Sequence, residues 1–265
     1  MNRYFEIGWV AGLWQYRELL YFFAWRDVKI RYKQAALGAA WAIVQPLLTM
    51  LIFTLFFGRL AQVPTDGIPY PLFCYCALVP WTYFSGVLSQ ASNSLIVNSN
   101  LITKVYFPRA LLPASTAVSG LLDFFVGWLM LFGLLAYYKI APTWALLCIP
   151  AVILALVAFT ISMSLLFSSL NVKFRDVKYV IPFMIQIWLF ITPVIYAPSL
   201  IPQRYRFLLA LNPLWGIVEA FRACVLPTRS MDMKLMFTSA TVIIMAAVLG
   251  AIYFRRTERT FADII

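Results

Sequence analysis

The chain of 265 residues is 63% hydrophobic and 12% charged, with a formal net charge of +11. Those proportions exclude an ordinary soluble domain and place it among polytopic membrane proteins. The basic excess sits between apolar stretches, so it reads as orientation in an anionic bilayer, and no nucleic-acid partner is expected.

The first dozen residues carry Arg3 and Glu6 but lack the apolar run and small-residue cleavage site of a signal peptide. The first span is therefore expected to act as its own insertion signal. Residues 13–33 follow. At roughly 100° per residue, Trp14, Tyr21, Trp25, Val28 and Tyr32 share one stripe, with Arg26, Lys29 and Lys33 on the neighbouring flank. An aromatic stripe beside a cationic flank predicts an amphipathic helix in the headgroup layer. The plainer alternative is a packed helix of a small cytosolic domain.

A spanning helix needs roughly 20 mostly apolar residues. Six stretches qualify, at about 36–58, 71–95, 113–138, 143–170, 179–196 and 233–254. The expected fold is thus an all-α membrane protein with six transmembrane helices in one domain over 1–265. With the N-terminus inside, fourteen Lys and Arg fall on the cytoplasmic side and seven outside. This bias places both termini in the cytoplasm. The second span begins as PLFCYCALVPWTYF and turns polar, with Ser85, Ser89, Gln90, Ser92, Asn93, Ser94 and Asn98. Its polar end is expected to emerge into the cytoplasm or to line a wet cavity.

Residues 98–112 form a short basic segment between two spans. Asn98, Ser99 or Asn100 can cap a helix from Leu101, and Phe107 before Pro108 ends it. So short a helix needs a partner or the bundle to hold it. The reading is a contact through which an external motor drives the bundle, exposing Leu101, Ile102, Lys104, Val105 and Tyr106. The alternative is a plain cytoplasmic loop.

Residues 198–226 are apolar enough to suggest another span, but Asn212-Pro213 interrupts them, and Glu219 and Arg222 lie near the middle. Asn212 as N-cap with Pro213 at the first position reads as a helix start. Glu219 and Arg222, three apart, can pair on one face. The stretch is expected to dip into the outer leaflet as short re-entrant helices. A seventh span would place Arg255, Arg256 and Arg259 outside.

The chain offers little chemistry. It has no GxxxxGK[ST] phosphate loop, no GxSxG elbow and no histidine. Cys74, Cys76, Cys148 and Cys224 have no zinc spacing, and neither a metal site nor a disulfide framework is expected. Asp123 is the one carboxylate deep in a predicted span, which is expensive in hydrocarbon. It reads equally as a lining residue that changes during gating and as a hydrogen-bonded acid that fixes helix packing. Arg26, Lys29 and Arg31 before the first span resemble Lys173, Arg175 and Lys178 before the fifth. Topology and lipid pairing explain both clusters. The sharper reading is a guide for an anionic pyrophosphate headgroup, which the guanidinium fork suits.

The runs RDVKIRYKQAALGAAWAIVQPLL, NLITKVYFPRALLP, FRDVKYVIPFMIQIWLFITPVIY and LNPLWGIVEAFR together resemble the permease subunits of type-2 ABC exporters for polysaccharides. The likeness covers nearly the whole chain and is strongest to O-antigen and lipopolysaccharide exporters, with capsule and teichoic-acid exporters as relatives. It implies a half-transporter in the bacterial inner membrane. Two copies would pair with two copies of a separate ATPase that holds ATP and Mg, and this chain would bind no cofactor. The substrate would be a polysaccharide on an undecaprenyl-pyrophosphate carrier, moved from cytoplasm to periplasm. Leu101, Ile102, Lys104, Val105, Tyr106, Phe107, Pro108 and Arg109 match the ATPase-coupling helix, and residues 13–33 the interface helix. Asn212, Pro213, Trp215, Glu219 and Arg222 fall in the helices that help close an outer gate. The closing ERTFADII also looks like the O-antigen branch.

Two other classes compete. A membrane enzyme on lipid-linked sugars would need polar catalytic groups at one membrane face, whereas Asp123 and Glu219 are expected on different helices at different depths. A passive channel would leave the coupling-like segment without a purpose.

Overall fold

The computed structural model describes residues 15–33, 40–141, 143–174, 176–227 and 231–261. Trp14, Arg175 and the expected start of the first span at 36–39 lie outside the described residues. Every regular element described is helical: α1 (Arg17–Lys33), α2 (Trp41–Phe53), α3 (Tyr70–Ala91), α4 (Ser94–Val97), α5 (Ser99–Lys104), α6 (Leu111–Tyr137), α7 (Ile149–Lys173), α8 (Val177–Ile191), α9 (Gln203–Ala210), α10 (Pro213–Val225) and α11 (Met233–Glu258). A π-helical turn, Thr54–Leu60, prolongs α2, and a 3-10 turn, Trp144–Cys148, precedes α7.

Five stretches are long and apolar enough to cross a membrane: Trp41–Leu60, Tyr70–Ala91, Leu111–Tyr137, Trp144–Lys173 and Met233–Glu258. They match five of the six expected spans. The fifth expected span, 179–196, is shorter than its apolar run. Helix α8 has 15 residues and stops at Thr192, which is extended at ψ 133°. The cause is Pro193, which disfavours helical backbone in the residue before it. At about 1.5 Å per residue α8 is about 22 Å long.

Burial follows composition. The first half of helix α3 is apolar all round, and every residue from Leu72 to Trp81 is buried, as a central helix requires. Helices α2, α6, α7 and α10 pack around it. Tyr75 donates its hydroxyl proton to the Gly127 carbonyl, and Tyr83 donates to that of Ala117, tying α3 to α6. Phe84 stacks on Phe159 with centroids 5.4 Å apart, and Trp188 meets Phe84 edge-on at 5.1 Å, so one aromatic cluster holds α3, α7 and α8. Helix α2 is peripheral and exposes Leu48, Leu51, Ile52, Leu55 and Phe56.

Helix α11 lies along α7 at close range. A Cβ at Gly250 would sit 2.7 Å from the Ser162 carbonyl oxygen, a close approach that small residues allow between membrane helices. Gly250→Ala should therefore destabilise the bundle by about 1–3 kcal/mol. Gly133→Ala, with nothing within 4 Å of its added methyl, should be neutral or stabilising. Thermal unfolding in mild detergent separates the two, and equal midpoints would refute the close packing.

Helix α1 does not stand apart from the bundle. Phe23 meets Phe107 at 5.6 Å, Ser115 donates to Asp27 at 3.5 Å, and Arg31 reaches Asp123. These contacts advance together along both helices, so α1 tracks the first half of α6. Its other side exposes Tyr21, Phe22, Trp25 and Ile30, an apolar face of the kind an interfacial helix presents.

Candidate functional site

Three regions hold the residues singled out by sequence. The first is the segment from α5 to the start of α6. Its base is a core separate from the main one. Phe23, Leu95, Ile102, Phe107, Ala110, Leu111, Leu112, Leu165, Val172, Phe254 and Phe261 bury one another there. This corrects the expected exposure: Ile102 is a buried anchor and Leu101 is half-buried, while Phe107 is buried beside them and Pro108 and Arg109 are half-buried. The exposed tip is Lys104, Val105 and Tyr106, with Tyr106 88% exposed. Leu95 and Ile102 are seven apart, the repeat of a helical core face, and this spacing was the signal for the anchor.

The capping expectation also changes. Helix α5 starts at Ser99 after Asn98, whose side chain makes no cap bond. Asn98 Oδ1 instead accepts from Arg26 Nη1 at 3.0 Å, and its Nδ2 donates to the Ser94 carbonyl. Arg26 also pairs with Asp27 at 2.9 Å. The segment is thus tied to α1 by Arg26–Asn98 and by Phe23–Phe107.

The second region is a polar cavity of about 340 Å³ among α1, α2, α3 and α6. Arg31 forms an ion pair with Asp123 and donates to Gln90 Oε1 at 2.6 Å, while the Tyr32 hydroxyl donates to Asp123. Burial first, then the bond to Asp123, pushes the Tyr32 hydroxyl up to about 12, so it remains a neutral donor at physiological pH. Gln45, Thr82 and Ser85 complete the polar wall, and Trp41 and Phe124 supply aromatic surface. Gly86 also lines this space, and a Cβ there would meet nothing within 4 Å. Asp123 therefore joins α1 to α6 and faces the cavity at once. Arg26 and Arg31 are each held by a side-chain carboxylate. Lys29 and Lys178 are exposed, lying over the rings of Trp25 and Tyr179.

The third region lies at the opposite end of the bundle. Helices α9 and α10 meet at 102°. Asn212 caps α10 as expected, its Oδ1 accepting from the Leu214 N–H at 3.2 Å and from Trp188 Nε1 at 2.9 Å. Its Nδ2 donates to Thr192 Oγ1 at 2.9 Å. The expected Glu219–Arg222 pair forms at 2.7 Å. Arg222 is wholly buried and also donates to the carbonyls of Pro193, Val194 and Phe73. Pro213 and Trp215 are buried too. These residues bracket the broken backbone after α8. No local sequence signal pairs Arg222 with carbonyls about thirty and 149 positions away.

Comparison with known proteins gives a consistent answer. The family model described as ABC-2 type transporter matches residues 18–226. An O-antigen export system permease protein, RfbA, of Myxococcus xanthus is 30% identical over 259 residues, covering 97% of this chain and 98% of that protein. An RfbA of Klebsiella pneumoniae is 31% identical over 198 residues, 74% of this chain and 76% of that protein. The polysialic acid transport protein KpsM of Escherichia coli is 25% identical over 234 residues, 83% of this chain and 87% of that protein.

Proposed function

Since this chain belongs to the ABC-2 type transporter family, we propose that it is the permease subunit of an ATP-driven polysaccharide exporter, with O-antigen as its substrate. The O-antigen permeases similar to it along its length support that substrate. The polymer travels on an undecaprenyl-pyrophosphate carrier from cytoplasm to periplasm across the inner membrane. Two copies of the chain enclose the path, and two cytoplasmic ATPase subunits carry ATP and Mg. Both termini face the cytoplasm, and the chain itself performs no catalysis.

The observation that carries this reading is the exposed tip Lys104–Tyr106 on a buried base. A tip held by its own core transmits a push into the bundle, whereas a loose loop would absorb it. ATP-driven movement of the partner would then favour one arrangement of the helices over another. The bend between α9 and α10 supports the re-entrant reading of 198–226, which closes the far end of the path. The polar cavity supplies hydroxyl, amide and aromatic groups suited to a sugar chain. Within it the Arg31 charge is balanced by Asp123, so a polyhydroxyl chain slides past without a fixed charge to hold it.

Tyr106→Ala tests the reading, by co-purification with the partner ATPase and by surface polysaccharide. A tyrosine anchor in a partner's cleft is worth about 2 kcal/mol or more, so export should fall about tenfold or more while membrane insertion is unchanged. Normal export by this variant would sink the coupling reading. A second reading, a capsule exporter, draws on the likeness to KpsM; identifying the accumulated lipid-linked glycan decides between them.

A further inference from the structure

The C-terminal ERTF at residues 258–261 closes α11 against the coupling segment. Phe254 and Glu258 are four apart on one face, and Phe261 continues it three residues later. Both phenylalanines are fully buried, edge to face at 5.5 Å, in the same cluster as Ile102, Phe107 and Phe23. Between them, Glu258 Oε1 accepts the Arg109 backbone N–H at 3.0 Å, and the Arg109 guanidinium donates to the Glu258 backbone carbonyl. Arg109 thereby caps the C-terminal end of α11, while the Glu258 carboxylate ties down the turn that leads into α6. The carboxylate sits just before the N-terminus of α6, and the guanidinium sits at the C-terminus of α11, which is the favourable placement of both charges.

This pair of hydrogen bonds has a mechanical consequence. The coupling segment cannot shift along α11 without breaking both contacts. Helix α11 in turn lies against α7 through Gly250 and Ser162. We propose that Glu258 is a positioning residue of the coupling step: through Arg109 it locks the coupling segment to the end of α11, so that a push on Lys104–Tyr106 moves α11 and α7 together with α6. The assignment rests on the coupling reading of that tip. It also gives the end of α11 a role in force transmission.

The test uses the full complex, co-expressed with its ATPase subunit in cells that make the polysaccharide. Glu258→Ala removes the acceptor. The ATPase should still co-purify, and polysaccharide exported per ATP hydrolysed should fall about tenfold. Glu258→Gln keeps an acceptor oxygen for the Arg109 N–H and should restore most of that ratio. If the alanine variant does not accumulate, Arg109→Gln carries the test, with an expected loss of about threefold or more in the same ratio. Hydrolysis still matched to export, with output lowered only in proportion to assembled complex, would overturn the assignment. Tyr106→Ala is run beside them. Lost export there with normal coupling in the Glu258 variants refutes only the Glu258 assignment, while normal export in Tyr106→Ala refutes the coupling reading itself.

Discussion

Replacing Arg222 by leucine is expected to cost about 3–5 kcal/mol of stability, the range for removing one partner of a buried charged network. The guanidinium is fully buried. It spans Glu219 at 2.7 Å, the Pro193 carbonyl at 2.7 Å, that of Val194 at 2.9 Å and that of Phe73 at 3.3 Å, and it stacks over the Phe73 ring at 3.6 Å. The carbonyls of Pro193 and Val194 follow the last turn of α8, where no helical ladder supplies donors. Away from water each unpaired carbonyl is costly, and irregular backbone at membrane depth survives only where protein groups satisfy it. Leucine fills the volume and leaves three carbonyls and a carboxylate without their donor. Arg222→Lys should be nearly as damaging, because a compact ammonium cannot fan out to four acceptors as a planar guanidinium does. Glu219→Gln keeps an acceptor oxygen and should cost about 1 kcal/mol. Thermal unfolding of the detergent-purified protein ranks the three. A leucine variant with the wild-type midpoint would show that the far-end bracket is held by other contacts.

Asp123→Leu is the second large effect, and it acts on assembly and transport together. The substitution leaves Arg31 and Tyr32 facing the cavity without their acceptor and releases α1 from the middle of α6. The pair is partly open to the cavity, with about a quarter to a third of each side chain accessible, so its stability term is smaller, about 1–3 kcal/mol. A double-variant cycle sorts the two readings of Asp123. R31L/D123L removes both charges, so much of the lost stability should return, with an interaction energy of about 0.5–3 kcal/mol between the positions. Export should remain about tenfold down, because the cavity wall has lost its charged pair. Recovery of both stability and export in the double variant would reduce the pair to a packing device. Failure to recover stability would mean that Arg31 and Asp123 act through other neighbours.

The near-silence of the chain on chemistry has a physical basis. A transport subunit does its work by moving helices, and its decisive groups are those that hold helices to one another. Such groups are ordinary by type. Glu258 and Arg109 lie 149 positions apart, and no motif announces them. Gly250 looks like any helical glycine until Ser162 is placed against it. Ile102, by contrast, was expected among the exposed residues of its short segment. It turned inward because the core it shares with Phe23, Phe254 and Phe261 exists only once segments distant in the chain meet.

The sequence by itself determined the membrane class, the positions of five full-length spans, the Asn212-Pro213 helix start and the Glu219–Arg222 pair. These are local matters: apolar length, a cap, and a three-residue spacing on one helix face. Only the tertiary structure decided that α8 stops short, that Arg31 and Tyr32 satisfy Asp123, that Arg222 serves the backbone after α8, and that Ile102 turns inward while Lys104, Val105 and Tyr106 stay exposed. The reason is the solvent. Inside a membrane-like bundle every polar group must find its partner within the protein, and the partner is whichever group the packing brings near, however far away it lies in the chain.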